Sequence, residues 1–232
     1  MKVGLLLCDR VNEKYIEEFG DYPEMYARLF PHLQFNCYTV HEDVFPSSVE
    51  DYDVYMVTGS RYSVYEEMIW IDKVKSFIRE IYKANKYFLG FCFGHQLLAE
   101  SLGGKVRKAS VGWCVGVHTF QVLEKKSWMK PFQNELNFLM MCQDQVVELP
   151  PNSQRLLSNK DCPNAMIQVG ERMLSIQAHP EFTKAFDRIL MESRVDKIGE
   201  EKVTQAINSL DKEIHTDVFR NWVNAILRIE KM

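Results

Sequence analysis

In Leu89-Gly90-Phe91-Cys92-Phe93-Gly94-His95-Gln96-Leu97 a cysteine stands between two glycines, where an apolar run gives way to a helix-forming one. A strand that ends on a nucleophile and turns at once into a helix is an elbow, here in the form G-x-C-x-G. A side chain on so sharp a turn crowds its neighbours, and Gly90 and Gly94 remove side chains where the turn must pack closely. The thiol of Cys92 then lies at a helix amino terminus, where unpaired N–H groups and the helix dipole favour the thiolate. The N–H of Phe93 points to the same place and can stabilise an oxyanion. A buried cysteine between two packing glycines fits the same letters.

A cysteine nucleophile needs a base, and the base needs an orienting group. Leu174-Ser175-Ile176-Gln177 reads as a strand, followed directly by Ala178-His179-Pro180-Glu181. Pro180 ends the strand by removing a ladder donor. Glu181, two residues after His179, is spaced to hold the imidazole tautomer and support an imidazolium. Taken alone, His179 fits a hydrogen-bonded histidine at a strand end. Val57-Thr58-Gly59-Ser60-Arg61 is a further strand end with a glycine turn, whose Gly59 or Ser60 N–H could complete an oxyanion hole with Phe93. Taken alone, that turn is only a turn.

The elements that must carry these groups follow from the hydrophobic pattern. Short apolar runs alternate with amphipathic stretches, as in an α/β chain. Strands are expected over Val3–Cys8, Gln34–Val40, Asp53–Thr58, Lys86–Phe91 and Gly116–Leu123, and a hairpin over Ala165–Val169 and Met173–Gln177 about Gly170-Glu171-Arg172. Lys86–Phe91 is apolar almost throughout and should be central. Helices are expected over Tyr22–Phe30, Glu66–Ala84 (apolar at 70, 71, 74, 77, 78 and 81), Gly94–Leu102, Lys184–Val195, Glu200–Leu210 and Asp217–Glu230. Gly103-Gly104 is a helix stop. There is no internal repeat or low-complexity linker, so one domain over 1–232 with a helical extension from about 184 is the expectation.

Of the 232 residues, 46% are hydrophobic, enough for a sizeable core, and the formal charge is −4, without the basic excess of a nucleic-acid binder. No apolar run approaches membrane-spanning length. The amino-terminal apolar stretch is short and reads as a buried strand and not as a secretory signal. The six cysteines are scattered without a CxxC pair, which speaks against zinc or disulfide frameworks and for a reduced, cytoplasmic setting. No metal or cofactor is called for. His95 reads as a solvated histidine at a helix start; Tyr62 and Trp113 are candidates for lining a substrate entrance.

Taken together, strand-G-x-C-x-G-x-Q and a late strand ending in His-Pro-Glu resemble the class I glutamine amidotransferases with a Cys-His-Glu triad. The resemblance runs from Met1 to about Glu181 and includes Thr58-Gly59-Ser60, Leu102-Gly103-Gly104, Asp144-Gln145-Val146 and Leu149-Pro150. It implies a flavodoxin-like, doubly wound, mostly parallel sheet with flanking helices and an added β-hairpin region. It further implies that Cys92 attacks a γ-carboxamide to form a γ-glutamyl thioester, His179 shuttles the proton and Glu181 orients His179. Ser60 and Phe93 N–H groups would hold the oxyanion, and Gln96 the glutamyl end. The family commonly carries Gly-Gly-Pro where this chain has Gly59-Ser60-Arg61, and a histidine where it has Cys142-Gln143. The Ser60 form is similar to a stand-alone branch that includes γ-glutamyl peptidases.

Three functions are consistent with these features. The first is an independent hydrolase of γ-glutamyl amides or peptides acting on a small molecule, with Gly59, Gln96, Arg61 and Trp113 as substrate contacts and Arg61 placed to meet a carboxylate of a peptide. The second is a glutaminase subunit that serves a separate synthetase, and a homodimer is possible in either case. The third is a non-catalytic module on the same fold, against which the intact Cys92, His179 and Glu181 argue.

Overall fold

The computed structural model describes residues 1–228. Its elements in chain order are β1 (Val3–Leu6), α1 (Glu13–Phe19), α2 (Tyr22–Leu29), β2 (Phe35–Tyr38), β3 (Val54–Val57), α3 (Ile69–Lys83), β4 (Tyr87–Phe91), α4 (Phe93–Ser101), β5 (Lys105–Lys108), β6 (Cys114–Val122), β7 (Glu135–Cys142), β8 (Asp144–Glu148), β9 (Ser153–Ser158), β10 (Met166–Val169), β11 (Met173–Ile176), α5 (Lys184–Glu192), α6 (Val195–Ile198), α7 (Glu200–Ser209) and α8 (Thr216–Ile226). Nine strands form one sheet in the order β2-β1-β3-β4-β11-β10-β9-β6-β7, while β5 and β8 pair separately. The half from β2 to β11 is parallel, and β10, β9, β6 and β7 continue it antiparallel. The sheet is thus the α/β sheet with flanking helices that the resemblance implies, and its antiparallel part is wider than the single added hairpin.

Strand alternation sends side chains to both faces. Val54 and Met56 of β3 join one apolar cluster with Tyr26, Phe186 and Trp222, whereas Tyr55 and Val57 join the other with Trp70, Val74 and Leu97. The six apolar positions of the α3 stripe are all buried. That helix starts later than the periodicity suggests, after Met68 in extended conformation, and keeps its apolar face. α2 is opened by Asp21 and Glu24 in a reciprocal capping box. The chain reverses at Gly170, with φ +56°, to form the β10–β11 hairpin. α1, β5, β7, β8 and β9 have no counterpart in the sequence reading. The helix expected over Lys184–Val195 breaks at Ser193-Arg194 into α5 and α6. The one expected over Asp217–Glu230 runs Thr216–Ile226, and Glu230 lies outside the described residues.

Strand order places β1 between β2 and β3, so successive connections leave β1 to opposite sides and open a crevice beyond the strand ends. Cys8-Asp9 follow β1, Gly59-Ser60-Arg61 follow β3, Cys92 follows β4 and His179 follows β11. Four parallel strands thereby deliver the candidate groups to one edge.

The elbow is held by close packing of backbone. A Cβ at Gly94 would stand 2.5 Å from the Val57 carbonyl oxygen, and one at Gly90 would stand 2.5 Å from the Gly94 carbonyl oxygen. These contacts press α4 directly on β3 and β4, and no flexible side chain is there to give way. We expect Gly94→Ala to destabilise the protein by about 1–3 kcal/mol, read as a fall of several degrees in Tm by calorimetry. An unchanged Tm would show that the helix does not seat this tightly.

Candidate active site

Cys92 has φ +48° and ψ −98°, a backbone conformation that residues with side chains rarely adopt. Its N–H donates to the Ile176 carbonyl at 2.9 Å, which ties the elbow to the end of β11. Phe93 opens α4, so its N–H has no acceptor within the helix. The Cys92 side chain is almost fully buried, yet it reaches two adjoining cavities of about 320 and 310 Å³.

His179 sits beyond β11 with its backbone N–H bonded to the Leu139 carbonyl of β7 at 2.8 Å. Its ring stacks on Phe182 at 4.0 Å and 9°. Nδ1 lies 2.7 Å from Oε1 of Glu181, and both side chains are buried. This is a charge-assisted contact of the strong class. Burial by itself would push the imidazole pKa down. The negative charge that Cys92 can carry and the carboxylate of Glu181, which is bonded to Nδ1, instead hold it well above the usual histidine value. Nδ1 is taken by Glu181, so Nε2 is the nitrogen left for the thiol.

The other sequence candidates fall around this pair. A Cβ at Gly59 would meet His179 Cε1 at 3.2 Å and Cys92 Cβ at 3.8 Å, so glycine there lets the imidazole and the elbow approach. Ser60 lines both cavities, and its Oγ donates to the Cys8 carbonyl at 3.0 Å. Gln96 is buried and uses both amide hydrogens, on the Asp144 carbonyl at 2.8 Å and on Gln177 Oε1 at 3.2 Å, which leaves its own oxygen to face the second cavity. Trp113 and Tyr62 line that same cavity. Arg61 lines both cavities, but its guanidinium is held by Asp9, with Nη2–Oδ1 at 2.7 Å, and by the Arg10 carbonyl. His95 is fully buried and not solvated; burial drives its pKa to about 3, and its Nδ1 lies 2.9 Å from Ser175 Oγ, so it stays neutral.

Sequence reasoning gave no part to five residues that the structure brings here. Gln177 donates to the Cys92 sulfur at 3.5 Å. It lies two positions before His179, the one signal that points to it. Tyr22 is buried beside Gly59, and its phenol is kept protonated by desolvation, then by the nearby acids Asp9 and Glu181 and by Cys92. Arg194, the residue that caps α6, and Lys197, in its last turn, border both cavities. Asp187 of α5 is fully buried, and neither carboxylate oxygen has a hydrogen bond of ordinary geometry among the described residues.

The family model for "Glutamine amidotransferase class-I" matches residues 17–193, well over half of the chain. The chain belongs to that family and is a glutamine amidotransferase-like hydrolase. It is 28% identical to Gamma-glutamyl peptidase 4 of Arabidopsis thaliana over 96% of this chain and 95% of that protein. It is 26% identical to a glutamine-hydrolyzing GMP synthase subunit of Sulfurisphaera tokodaii over 70% of this chain and 85% of that one. Among solved structures, a glutamine amidotransferase from Thermotoga maritima superimposes with a TM-score of 0.78 at 20% identity, covering 98% of this chain and 99% of that one.

Asp187 generates a prediction about stability. Desolvation raises its pKa to about 7, against the pull of His179, Arg194 and the Gly116 amide. The folded state therefore holds the proton over a range where the unfolded chain, titrating near 4, has lost it. Stability linked to this group is present at low pH and lost as pH rises toward 7. A rise from near 4 to about 7 corresponds to an upper bound of about 4 kcal/mol. We expect Asp187→Asn to raise Tm by several degrees at pH 8 and to leave it nearly unchanged at pH 4, measured by calorimetry in both buffers. Equal shifts at the two pH values would contradict the assignment.

Proposed function

We propose that the chain hydrolyses γ-glutamyl amide bonds through a γ-glutamyl thioester on Cys92. The observation that carries this reading is the placement of Cys92, His179 and Glu181 at adjoining strand ends, with the imidazole bonded to the carboxylate at 2.7 Å. The Cys92 sulfur attacks the γ-carbonyl carbon, and the oxyanion that forms is met by the N–H groups of Phe93 and Ser60. The C–N bond breaks as the His179 imidazolium gives its proton to the leaving nitrogen. Water then attacks the thioester carbon, His179 takes the proton, the C–S bond breaks, and glutamate leaves with the thiol restored. Glu181 supports the imidazolium at both stages and takes no proton itself.

The name of the Arabidopsis relative supports a peptide as the substrate, and its match over nearly the full length of both chains gives that support weight. The archaeal relative's description as one subunit of a synthase favours a second reading, glutamine hydrolysis in the service of a separate synthetase. Steady-state kinetics of the purified chain on glutamine and on γ-glutamyl dipeptides separates them. Cleavage of the dipeptides by the isolated chain supports the peptidase reading. Ammonia release from glutamine that appears only with a partner fraction supports the synthetase-linked reading.

Two outcomes follow for the triad. Cys92→Ser should fold normally, lose nearly all turnover and escape labelling by an electrophilic glutamine analogue that modifies the wild type at Cys92; His179→Ala should cost about 10²–10⁴-fold in kcat. Labelling at Cys142, or wild-type kcat in His179→Ala, would overturn the mechanism. The second outcome concerns pH. Because the Glu181 charge helps hold the His179 pKa up, Glu181→Gln weakens the imidazolium and lets it lose its proton at lower pH. The alkaline limb of the kcat/KM profile should move toward acid. An unmoved limb would separate Glu181 from the working imidazole.

A further inference from the structure

Among the described residues the two cavities share Ser60, Arg61, Cys92, Met141, Arg194 and Lys197. The thiol therefore sits at their junction, under a roof that includes α6. They differ in their chemistry. Gln96 and Asp144 border the smaller cavity and not the larger, whereas His179 borders only the larger, with Tyr22, Phe182, Phe186 and Leu190. The acid that protonates a leaving nitrogen must stand on the leaving group's side of the scissile bond. The larger cavity is then the space into which the departing amine projects. At about 320 Å³ it is far bigger than ammonia requires.

Its walls and its charges point to a particular amine. Aromatic and aliphatic side chains form one wall, which suits a large apolar substituent. Among the described residues, five lysines and arginines besides His179 border it against a single acid, Asp9, in a chain whose net charge is −4. Two of the five are already engaged with carboxylates: Arg61 with Asp9 at 2.7 Å, and Arg10 with Asp21 at 3.3 Å. Lys14 lies over the ring of Tyr15. Arg194 and Lys197 have no carboxylate within ion-pair distance among the described residues. They stand three residues apart across one turn of α6, so both can meet one anion. The matched family region ends at residue 193, so both lie just beyond it.

We infer that the cavity on the His179 side is the subsite for the leaving amine, and that Arg194, assisted by Lys197, binds a free carboxylate on that amine. The inference rests on the γ-glutamyl hydrolase reading and narrows it. The preferred substrates are γ-glutamyl peptides whose next residue carries a bulky apolar side chain and an unblocked α-carboxylate. Glutamine, whose leaving group is ammonia, leaves this subsite empty.

The test compares kcat/KM of the full chain on γ-glutamyl-phenylalanine and on γ-glutamyl-phenylalanine amide, which differ only in the carboxylate. A charge-assisted pair predicts that the free acid is favoured by about 10-fold or more, mainly through KM because the contact is made before the chemical step. Arg194→Ala should bring the ratio of the two substrates close to one, Arg194→Lys should recover part of it, and Lys197→Ala should reduce it less. A merely structural loss would depress both substrates alike and leave the ratio standing. Equal rates on acid and amide in the wild type, or an unchanged ratio in Arg194→Ala, would overturn the inference while the hydrolase reading stands. Hydrolysis of glutamine with no cleavage of either peptide would overturn the inference and leave the thioester chemistry on Cys92 standing, whereas no hydrolysis of glutamine or of either peptide would overturn both. If Arg194→Ala does not fold, the wild-type ratio and Lys197→Ala decide the matter.

Discussion

Everything in this site depends on one strained residue. Cys92 is held at φ +48°, a conformation that costs on the order of 1–3 kcal/mol and persists only when its surroundings over-determine it. Here they do so from three sides. The Cys92 N–H is bonded to the last residue of β11, Gly90 and Gly94 let α4 seat on β3 and β4 within van der Waals contact, and Phe91 and Phe93 on either side are buried. The two phenyl rings project to opposite faces of the sheet, into separate apolar clusters. Relaxing the elbow would withdraw both rings and break the register of the central strands, so the strain is locked in by the core.

The electrostatics follow from the same burial. A desolvated carboxylate such as Glu181 is tolerated only when paired, and His179 at 2.7 Å is its partner. The imidazole is in turn fixed by Phe182 stacking and by its backbone bond to β7. Its positive charge is favoured by the carboxylate of Glu181 and by the negative charge that Cys92 can carry. Asp187, buried near this pair without a hydrogen bond of ordinary geometry among the described residues, remains protonated over a wider range than an exposed aspartate. A further chain of bonds joins the elbow to the β8 side of the smaller cavity: Gln177 donates to the Cys92 sulfur, Gln96 donates to Gln177, and Gln96 also donates to the Asp144 carbonyl. The Asp144 carboxylate is bonded by Ser63 and Tyr65 from the segment after β3. The smaller cavity is thereby built from rigid parts.

The helices after Glu181 are part of this arrangement. α5 lays Phe186 and Leu190 along the larger cavity, and the break at Ser193-Arg194 redirects the chain so that α6 passes over the thiol. That turn carries Arg194 and Lys197 to the cavity that His179 borders. α7 and α8 anchor the excursion, with Val203, Phe219 and Trp222 buried in the cluster that also holds Phe186.

Much of this was legible in the residues. Local signals need only neighbours along the chain, and they worked: the apolar runs of β1, β3 and β4, the stripe of α3, the Gly170 reversal, and the Gly-x-Cys-x-Gly and His-Pro-Glu steps all mark their own conformation. What a residue touches across the fold is a different quantity. β7 reads Glu-Leu-Asn-Phe-Leu-Met-Met-Cys, a run without strict alternation, and becomes a strand because β6 pairs with it along its whole length. β5 and β8 are short and stable only against each other. Arg61 has the composition of a substrate contact, and only the position of Asp9 at the end of β1 decides that its guanidinium is already occupied. Tyr22, Asp187 and Arg194 carry no mark in the sequence, since their roles come from burial and from distances between segments far apart in the chain. The amino-acid order determined the chemistry available and the turns that present it; the packing of β11, α5 and α6 around the elbow decided which charges remain free to meet a ligand.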